Sequence, residues 1–102
     1  MPDYLRFYRS AVDPADVDEV RRLFVDDVRP AFSQLDGCLS VELVVSVEKN
    51  AGGLVEGAVV SRWSSLPAME AAVSSRPIGE AIVRVRGLLR QEPVLKVFEI
   101  VQ

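Results

Sequence analysis

Histidine is missing from this sequence, and cysteine and tryptophan each occur once. Without histidine the chain has no imidazole to act as a general acid or base near neutral pH, and no histidine ligand for zinc or haem. The single cysteine, Cys38, cannot form an intrachain disulfide. We therefore expect no metal site and no histidine-ligated haem.

Basic clusters and long apolar runs are missing as well. The net charge is −3, whereas nucleic-acid binding needs clustered lysine and arginine for its phosphate contacts. No apolar run approaches the roughly 20 residues of a membrane-spanning helix, and the stretch MPDYLRFYRS has no signal-peptide core. These features predict a cytoplasmic protein that binds neither nucleic acid nor a membrane.

The residues that are present are typical of a globular protein. The chain has 102 residues, of which 49% are hydrophobic and 26% are charged. This composition allows a core and is too apolar for a disordered chain. Because no linker, repeat or low-complexity segment divides it, we predict one domain over residues 1–102.

Four segments predict β-strands. Each is rich in β-branched or aromatic residues and is bounded by turn or capping signals. They are Tyr4–Ala11, Cys38–Glu48, Leu54–Trp63 and Val94–Val101. The turn cluster KNAGG between the second and third segments predicts a hairpin.

A helix is predicted between the first two strands. Asp13 is a suitable N-cap and Pro14 fits the first helical position. Apolar residues then recur at spacings of three and four. Pro30 should bend this helix or end its regular part, and Gly37 suits the left-handed position after the helix.

A second helical region is predicted between the third and fourth strands. Ser64 or Ser65 can cap it, with Pro67 in its first turn. The dipeptide Arg76-Pro77 should interrupt it, and a further helical piece should continue until Glu92-Pro93.

The resulting order, β-α-β-β-α-β, predicts an α+β fold of the ferredoxin-like type, with an antiparallel sheet and helices on one of its faces. The last strand, however, is apolar on both faces, since Leu95 and Val97 alternate with Val94 and Phe98. A sheet face left in water should alternate toward polar residues. We therefore expect a second copy of the chain to cover the open face, giving a homodimer.

RNA-recognition modules share this order of elements. They place aromatic residues at the centre of the sheet in a basic, glycine-containing motif, and no such motif occurs here. The paired glycines Gly52-Gly53 also lack the spacing of a phosphate-binding loop.

Three runs carry a resemblance to a known family: DGCLSVELVVS, EGAVVSRWSSLPAMEAAVSS and VLKVFEIV. In order and spacing they resemble the antibiotic biosynthesis monooxygenase domain family. The matching positions are Gly37 before a strand, Trp63 at a strand end, and Ser65 and Ala68 where a helix opens. The resemblance covers nearly the whole chain and implies a dimeric α/β barrel.

The same resemblance implies a function. Members oxidise small aromatic or polyketide-like molecules, often without a metal or flavin, so we expect no cofactor and a small apolar or aromatic ligand. The haem-degrading branch needs a histidine near Ala81 or Ile82, which this chain lacks. The alternative is a dimeric barrel that binds a small apolar ligand without turning it over.

Six residues are candidates for the site. In the catalytic group, Glu42 could act as a base, Tyr8 as a hydrogen-bond donor and Arg86 as a cation for an oxyanion. In the substrate-binding group, Trp63 could form a flat wall, with Ser40 and Arg62 near it. We expect Tyr8, Ser40 and Glu42 to share one cavity between the two sheets of the dimer.

Five of the six candidates also have a structural interpretation. Trp63 could be a core aromatic residue at the barrel end, and Tyr8 a buried residue with a backbone partner. Glu42 and Arg62 could form ion pairs at a dimer contact, and Arg86 could be an exposed helix residue.

Overall fold

A computed structural model describes residues 2–102 and confirms the α+β fold. Its four strands form one antiparallel sheet in the order β2-β3-β1-β4. They are β1 (Tyr4–Val12), β2 (Cys38–Lys49), β3 (Val55–Trp63) and β4 (Val94–Glu99). The hairpin turn between β2 and β3 is held by Asn50, whose side-chain oxygen accepts hydrogen bonds from the backbone N–H groups of Gly52 and Leu54.

The first helical region starts at the predicted cap. The Asp13 carboxylate accepts a hydrogen bond from the Ala15 backbone N–H at 2.9 Å. A short 3-10 turn (Pro14–Asp16) leads into α1 (Val17–Leu23), a wide turn (Phe24–Val28) and α2 (Arg29–Ser33).

Pro30 explains the wide turn. Proline has no N–H and its ring would clash with the carbonyl four residues earlier in a regular helix. Just ahead of it, the Arg29 N–H bonds to the Phe24 carbonyl, five residues back. This wider hydrogen-bonded turn accommodates the proline, so the helical region does not end there but continues to Ser33.

The second helical region divides as predicted. The Ser65 side chain caps α3 (Leu66–Val73) by accepting from the Ala68 N–H at 3.2 Å. After a break, α4 (Arg76–Arg86) carries Pro77 in its first turn.

The helices cover one face of the sheet and bury the core there. Tyr8, Val59 and Trp63 on the strands pack with Phe32 and Ile78 from the helices. We call this the helix-covered face. On β2 it takes Val41 and Leu43, because the register pairs them with Ser61 and Val59.

The opposite face, which we call the open face, is not covered within one chain. Val44 and Phe98 lie on it with about half of their surface exposed, at 48% and 52%. All six residues of β4 are exposed, although Leu95 and Val97 point to the other side of the sheet. The predicted two-sided apolar character of this strand is therefore present in the structure.

Candidate functional site

Tyr8 marks one end of a site between the sheet and the helices. It sits on the helix-covered face of β1, paired with Val59 of β3 and Leu95 of β4. The side chain is 7% exposed. Its hydroxyl is buried and makes no hydrogen bond of good geometry, although the Arg86 guanidinium lies near enough to act on it as a donor. Buried polar groups nearly always have a partner, so this hydroxyl is unusual.

Arg6 lies two positions earlier and therefore on the same face of β1. It is 8% exposed, and its Nη1 atom is also buried without a partner. Its guanidinium carbon lies 5.9 Å from the centroid of the Tyr8 ring. The sequence analysis did not select Arg6; the available signal was a charged residue between two tyrosines on a strand face that continues into the core.

Arg86, at the end of α4, is the second cation close to Tyr8. Burial raises the pKa of Tyr8 above its ordinary value, and the guanidinium groups of Arg86 and Arg6 oppose part of that rise. Glu92 acts in the opposite direction on Tyr8 and lies 3.8 Å from Arg86, measured from Oε2 to Nη2. Burial also lowers the pKa of Arg6. The structure thus brings together two of the three predicted catalytic residues, Tyr8 and Arg86.

A mostly apolar cavity extends from Tyr8 along β1 beneath the helices. Its empty volume is about 450 Å³, including the open mouth. Val20 of α1, Leu43 of β2 and Leu89 after α4 contribute to its wall, and the polar side chains that line it are Tyr8, Ser10 and Glu56. Ser10 is already engaged, since its hydroxyl donates to the Gln91 carbonyl at 2.7 Å.

Trp63 lies in the core and does not line this cavity. It is fully buried, and its indole N–H donates to the Ser61 hydroxyl at 2.9 Å. Its ring centroid is 6.1 Å from that of Phe32. The geometry matches the structural interpretation of Trp63, because the ring is fully buried and its only polar atom is engaged within the core.

The expectation of one cavity shared by Tyr8, Ser40 and Glu42 is wrong. Tyr8 faces the helices, whereas Ser40 and Glu42 are exposed and pair with Arg62 and Val60 on the open face. The sheet itself separates the two groups, so Glu42 cannot reach the Tyr8 hydroxyl within one chain. Arg62 is engaged with Asp3 on the open face, where its Nε and Nη2 atoms lie 3.0 and 2.8 Å from Oδ2.

Among residues 2–102, no cluster of three or more histidine, cysteine or acidic residues is arranged to hold a metal ion. In the same range, no helix has the length and hydropathy needed to span a bilayer.

Strand order, one covered sheet face and a cavity beneath the helices define a ferredoxin-like α+β domain with an internal apolar pocket. More specifically, the chain belongs to the antibiotic biosynthesis monooxygenase family, whose model matches residues 5–84. This confirms the resemblance seen in the sequence. No curated protein matches the chain significantly.

Solved structures share the fold at low sequence identity. A candidate antibiotic biosynthesis monooxygenase from Bordetella bronchiseptica is 17% identical, with full coverage of both chains and a TM-score of 0.78. Rv0793 from Mycobacterium tuberculosis is 21% identical over 98% of this chain and 96% of its own, with a TM-score of 0.74. A candidate family member from Caulobacter crescentus is 18% identical over 99% of this chain and 92% of its own, with a TM-score of 0.76.

Proposed function

We propose that the protein is a cofactor-independent monooxygenase that acts on an aromatic or polyketide-like small molecule. The observation that carries the proposal is an apolar cavity, open to solvent, that ends at a buried phenol with cationic neighbours. Apolar walls with a few convergent polar groups are typical of small-molecule sites. Family membership supports the reaction class.

In the proposed reaction, the substrate itself supplies the electrons that reduce O₂. Oxidation of a ring methylene to a carbonyl by O₂ puts one oxygen atom in the product and releases the other as water, with all electrons supplied by the substrate. The reaction starts when the substrate, as an enolate or phenolate, passes an electron to oxygen. The protein then has to bind the ring, exclude water and stabilise the anion, and we assign the last of these tasks to the Tyr8 hydroxyl and Arg86.

We also propose that the working unit is a homodimer. The apolar residues of β4 and of the open face are exposed in a single chain. Among them, Phe98 packs edge-on against Phe7, with the ring centroids 5.6 Å apart, so apolar side chains of β1 and β4 lie side by side on this face. A second copy of the chain would cover it.

The alternative function is ligand binding without turnover. One observation favours it: the Tyr8 hydroxyl has no acceptor beside it to take up a proton, and Glu42 lies on the other side of the sheet. A dimeric barrel with this cavity could hold an apolar ring and leave it unchanged.

Oxygen uptake distinguishes the two functions. We would incubate the protein with anthrone, whose ring methylene becomes a carbonyl, and follow oxygen with an electrode, using ¹⁸O₂ to trace the product. We expect uptake above the uncatalysed rate, one labelled oxygen per product, and a decrease of at least about tenfold in Tyr8→Phe and Arg86→Met. Arg21→Met removes an exposed guanidinium from α1 and should leave the rate unchanged. Saturable binding of anthrone without any protein-dependent uptake would instead establish the binding function.

A further inference from the structure

Two opposite charges lie at the two edges of the open face. Glu42 on β2 and Lys96 on β4 are both exposed, and we call them the edge charges. The strand register places them in one row across the sheet, with Val60 and Phe7 between them. Adjacent strands lie about 4.8 Å apart, so the three intervals between β2 and β4 separate the edge charges by about 14 Å. They cannot form an ion pair with each other within one chain.

Other charges on the open face have an opposite charge beside them. Arg62 is bonded to Asp3, and Arg9 and Glu56 line one cleft. In contrast, neither of the edge charges takes part in an ion pair among residues 2–102. The edge charges are therefore available to a partner that covers this face.

The next row of the open face has ends that also match each other. It runs from Val44 on β2 through Ala58 and Arg9 to Val94 on β4. Val44 and Val94 are exposed, at 48% and 40%. Both rows have their centre between β3 and β1, and their ends are complementary: an acid and a base in one row, two valines in the other. A face whose two edges complement each other fits a second copy of itself.

We propose that the two subunits pack their open faces about a two-fold axis parallel to the strands, between β3 and β1, so that Glu42 of each subunit pairs with Lys96 of the partner subunit. This inference rests on the proposed function, because it uses the homodimer put forward there. Rotation about such an axis exchanges the two edges of the sheet and lays β2 over β4 of the partner. The dimer then has two of these ion pairs, since a two-fold interface repeats every contact. Val44 likewise meets Val94 of the partner subunit.

The charges argue against the other axis that aligned sheets allow. Sheets packed in this way keep their strand directions within about 30° of each other, which an axis across the strands would also satisfy. That axis lays β2 over β2 and β4 over β4 of the partner. Glu42 would then lie on the same edge of the interface as Glu42 of the partner subunit, and the two copies of Lys96 would share the opposite edge. Like charges brought together in an interface destabilise it, so the edge charges favour the axis parallel to the strands.

Charge reversal tests the pairing. We would measure the dissociation constant of the dimer by analytical ultracentrifugation at low ionic strength. Glu42→Lys and Lys96→Glu should each raise it at least about tenfold, because each change brings two pairs of like charges together. The double variant that carries both changes should return to within about threefold of the wild type, since the opposite charges face each other again. Glu70→Lys, at an exposed position on α3, is the control and should leave the dissociation constant unchanged.

Cross-linking distinguishes the two axes. Packed sheets lie about 10 Å apart, which is too far for a disulfide, so we would use a short bismaleimide in a Cys38→Ser background. Glu42→Cys combined with Lys96→Cys should give a covalent dimer, whereas Glu42→Cys alone should not. The axis across the strands predicts a covalent dimer from Glu42→Cys alone. Glu70→Cys combined with Lys96→Cys is the control and should stay uncross-linked.

The outcomes separate the pairing from the dimer and from the reaction. Single reversals without effect, a double variant that binds no more tightly than the singles, or a covalent dimer from Glu42→Cys alone would overturn the pairing while the homodimer stands. A lysine that only protects an edge strand from aggregation predicts the first of these results. A wild type that is monomeric would overturn the pairing together with the homodimer. Oxygen uptake plays no part in these measurements, so the monooxygenase proposal stands or fails separately.

Discussion

At the scale of single residues, the buried polar side chains of β1 and β3 separate into two kinds. Ser10 and Ser61 are buried and form hydrogen bonds, to the Gln91 carbonyl and from the Trp63 indole. Arg6 and Tyr8 are equally buried and end in unpaired atoms. Buried atoms without a partner are rare in proteins, and each costs the free energy of its lost hydration. These two residues are therefore expected to lower the stability of the ligand-free protein.

The Tyr8 hydroxyl gives a direct test of this cost. We expect Tyr8→Phe to increase the free energy of unfolding of the ligand-free protein by about 1 kcal/mol, because the unpaired buried hydroxyl is removed and the ring stays. Urea unfolding measures the change, with Tyr4→Phe as the control at a half-buried position on the same strand. A loss of stability in Tyr8→Phe would show that the hydroxyl is bonded in the folded protein.

The same hydroxyl should affect stability at alkaline pH. Burial raises the pKa of Tyr8 above its ordinary value of 10.0, so the folded state holds this proton more tightly than the unfolded state. The stability that results from this difference is fully present below pH 10, and it is lost as the pH rises from there through the pKa of Tyr8 in the folded state. Tyr8→Phe should therefore lose less stability than the wild type above pH 10, as thermal unfolding over that range would show.

At the scale of elements, the junction of α2, β2 and α3 depends on a glycine. Gly37 has φ of +83°, and its carbonyl accepts a hydrogen bond from the Ser64 N–H at 2.9 Å. A Cβ at this position would lie 2.5 Å from the Ala68 Cβ. The residue thus allows both the turn and the close approach of the α3 N-terminus.

A matched pair of glycine substitutions separates the two effects. Gly53 has a similar φ of +79°, but a Cβ there would meet nothing within 4 Å. We expect Gly53→Ala to cost about 1–2 kcal/mol through the left-handed backbone alone, and Gly37→Ala to cost about 1–3 kcal/mol more through overpacking. Chemical denaturation of both variants measures the difference. Equal costs would mean that α3 shifts away freely, and Ala68→Gly combined with Gly37→Ala should recover part of the extra loss.

At the scale of the whole molecule, β4 is the feature that a single chain does not explain. It is an edge strand at the end of the sheet, and its apolar side chains are exposed on both faces, with Leu95 at 54% and Phe98 at 52%. Exposed apolar edge strands favour association with other chains. A partner that covers only the open face would leave Leu95 exposed, so we expect the partner to wrap around the edge as well.

The dimer is tested by placing a charge on this surface. Light scattering at micromolar concentration should give twice the chain mass for the wild type. Phe98→Glu should shift the protein to the monomer, because a carboxylate would be buried in the interface. Val83→Glu, at a position on α4 that is 69% exposed, is the control and should stay dimeric. A wild-type protein that is monomeric at these concentrations would contradict the proposal.

The sequence by itself determined the local structure of this protein. Asp13, Ser65 and the KNAGG turn act on backbone groups only a few residues away, so their patterns predict element boundaries directly. The β-α-β-β-α-β order follows from those elements, and the order together with Gly37 and Trp63 was enough to indicate the family. The two-sided apolar pattern of β4 was equally readable, since alternation along one strand is a local property.

Only the tertiary structure decided which residues meet at the site. Alternation along a strand shows that Arg6 shares a face with Tyr8, and that Ser40 shares a face with Glu42. It does not show whether these two pairs lie on the same side of the sheet, because that depends on the strand register and on the side where the helices pack. That choice placed Tyr8 beneath the helices and Glu42 on the opposite face. It also brought Arg86, far along the chain, to the Tyr8 hydroxyl and left Arg6 without a partner. Such contacts arise from packing between distant segments, and no pattern within either segment encodes them.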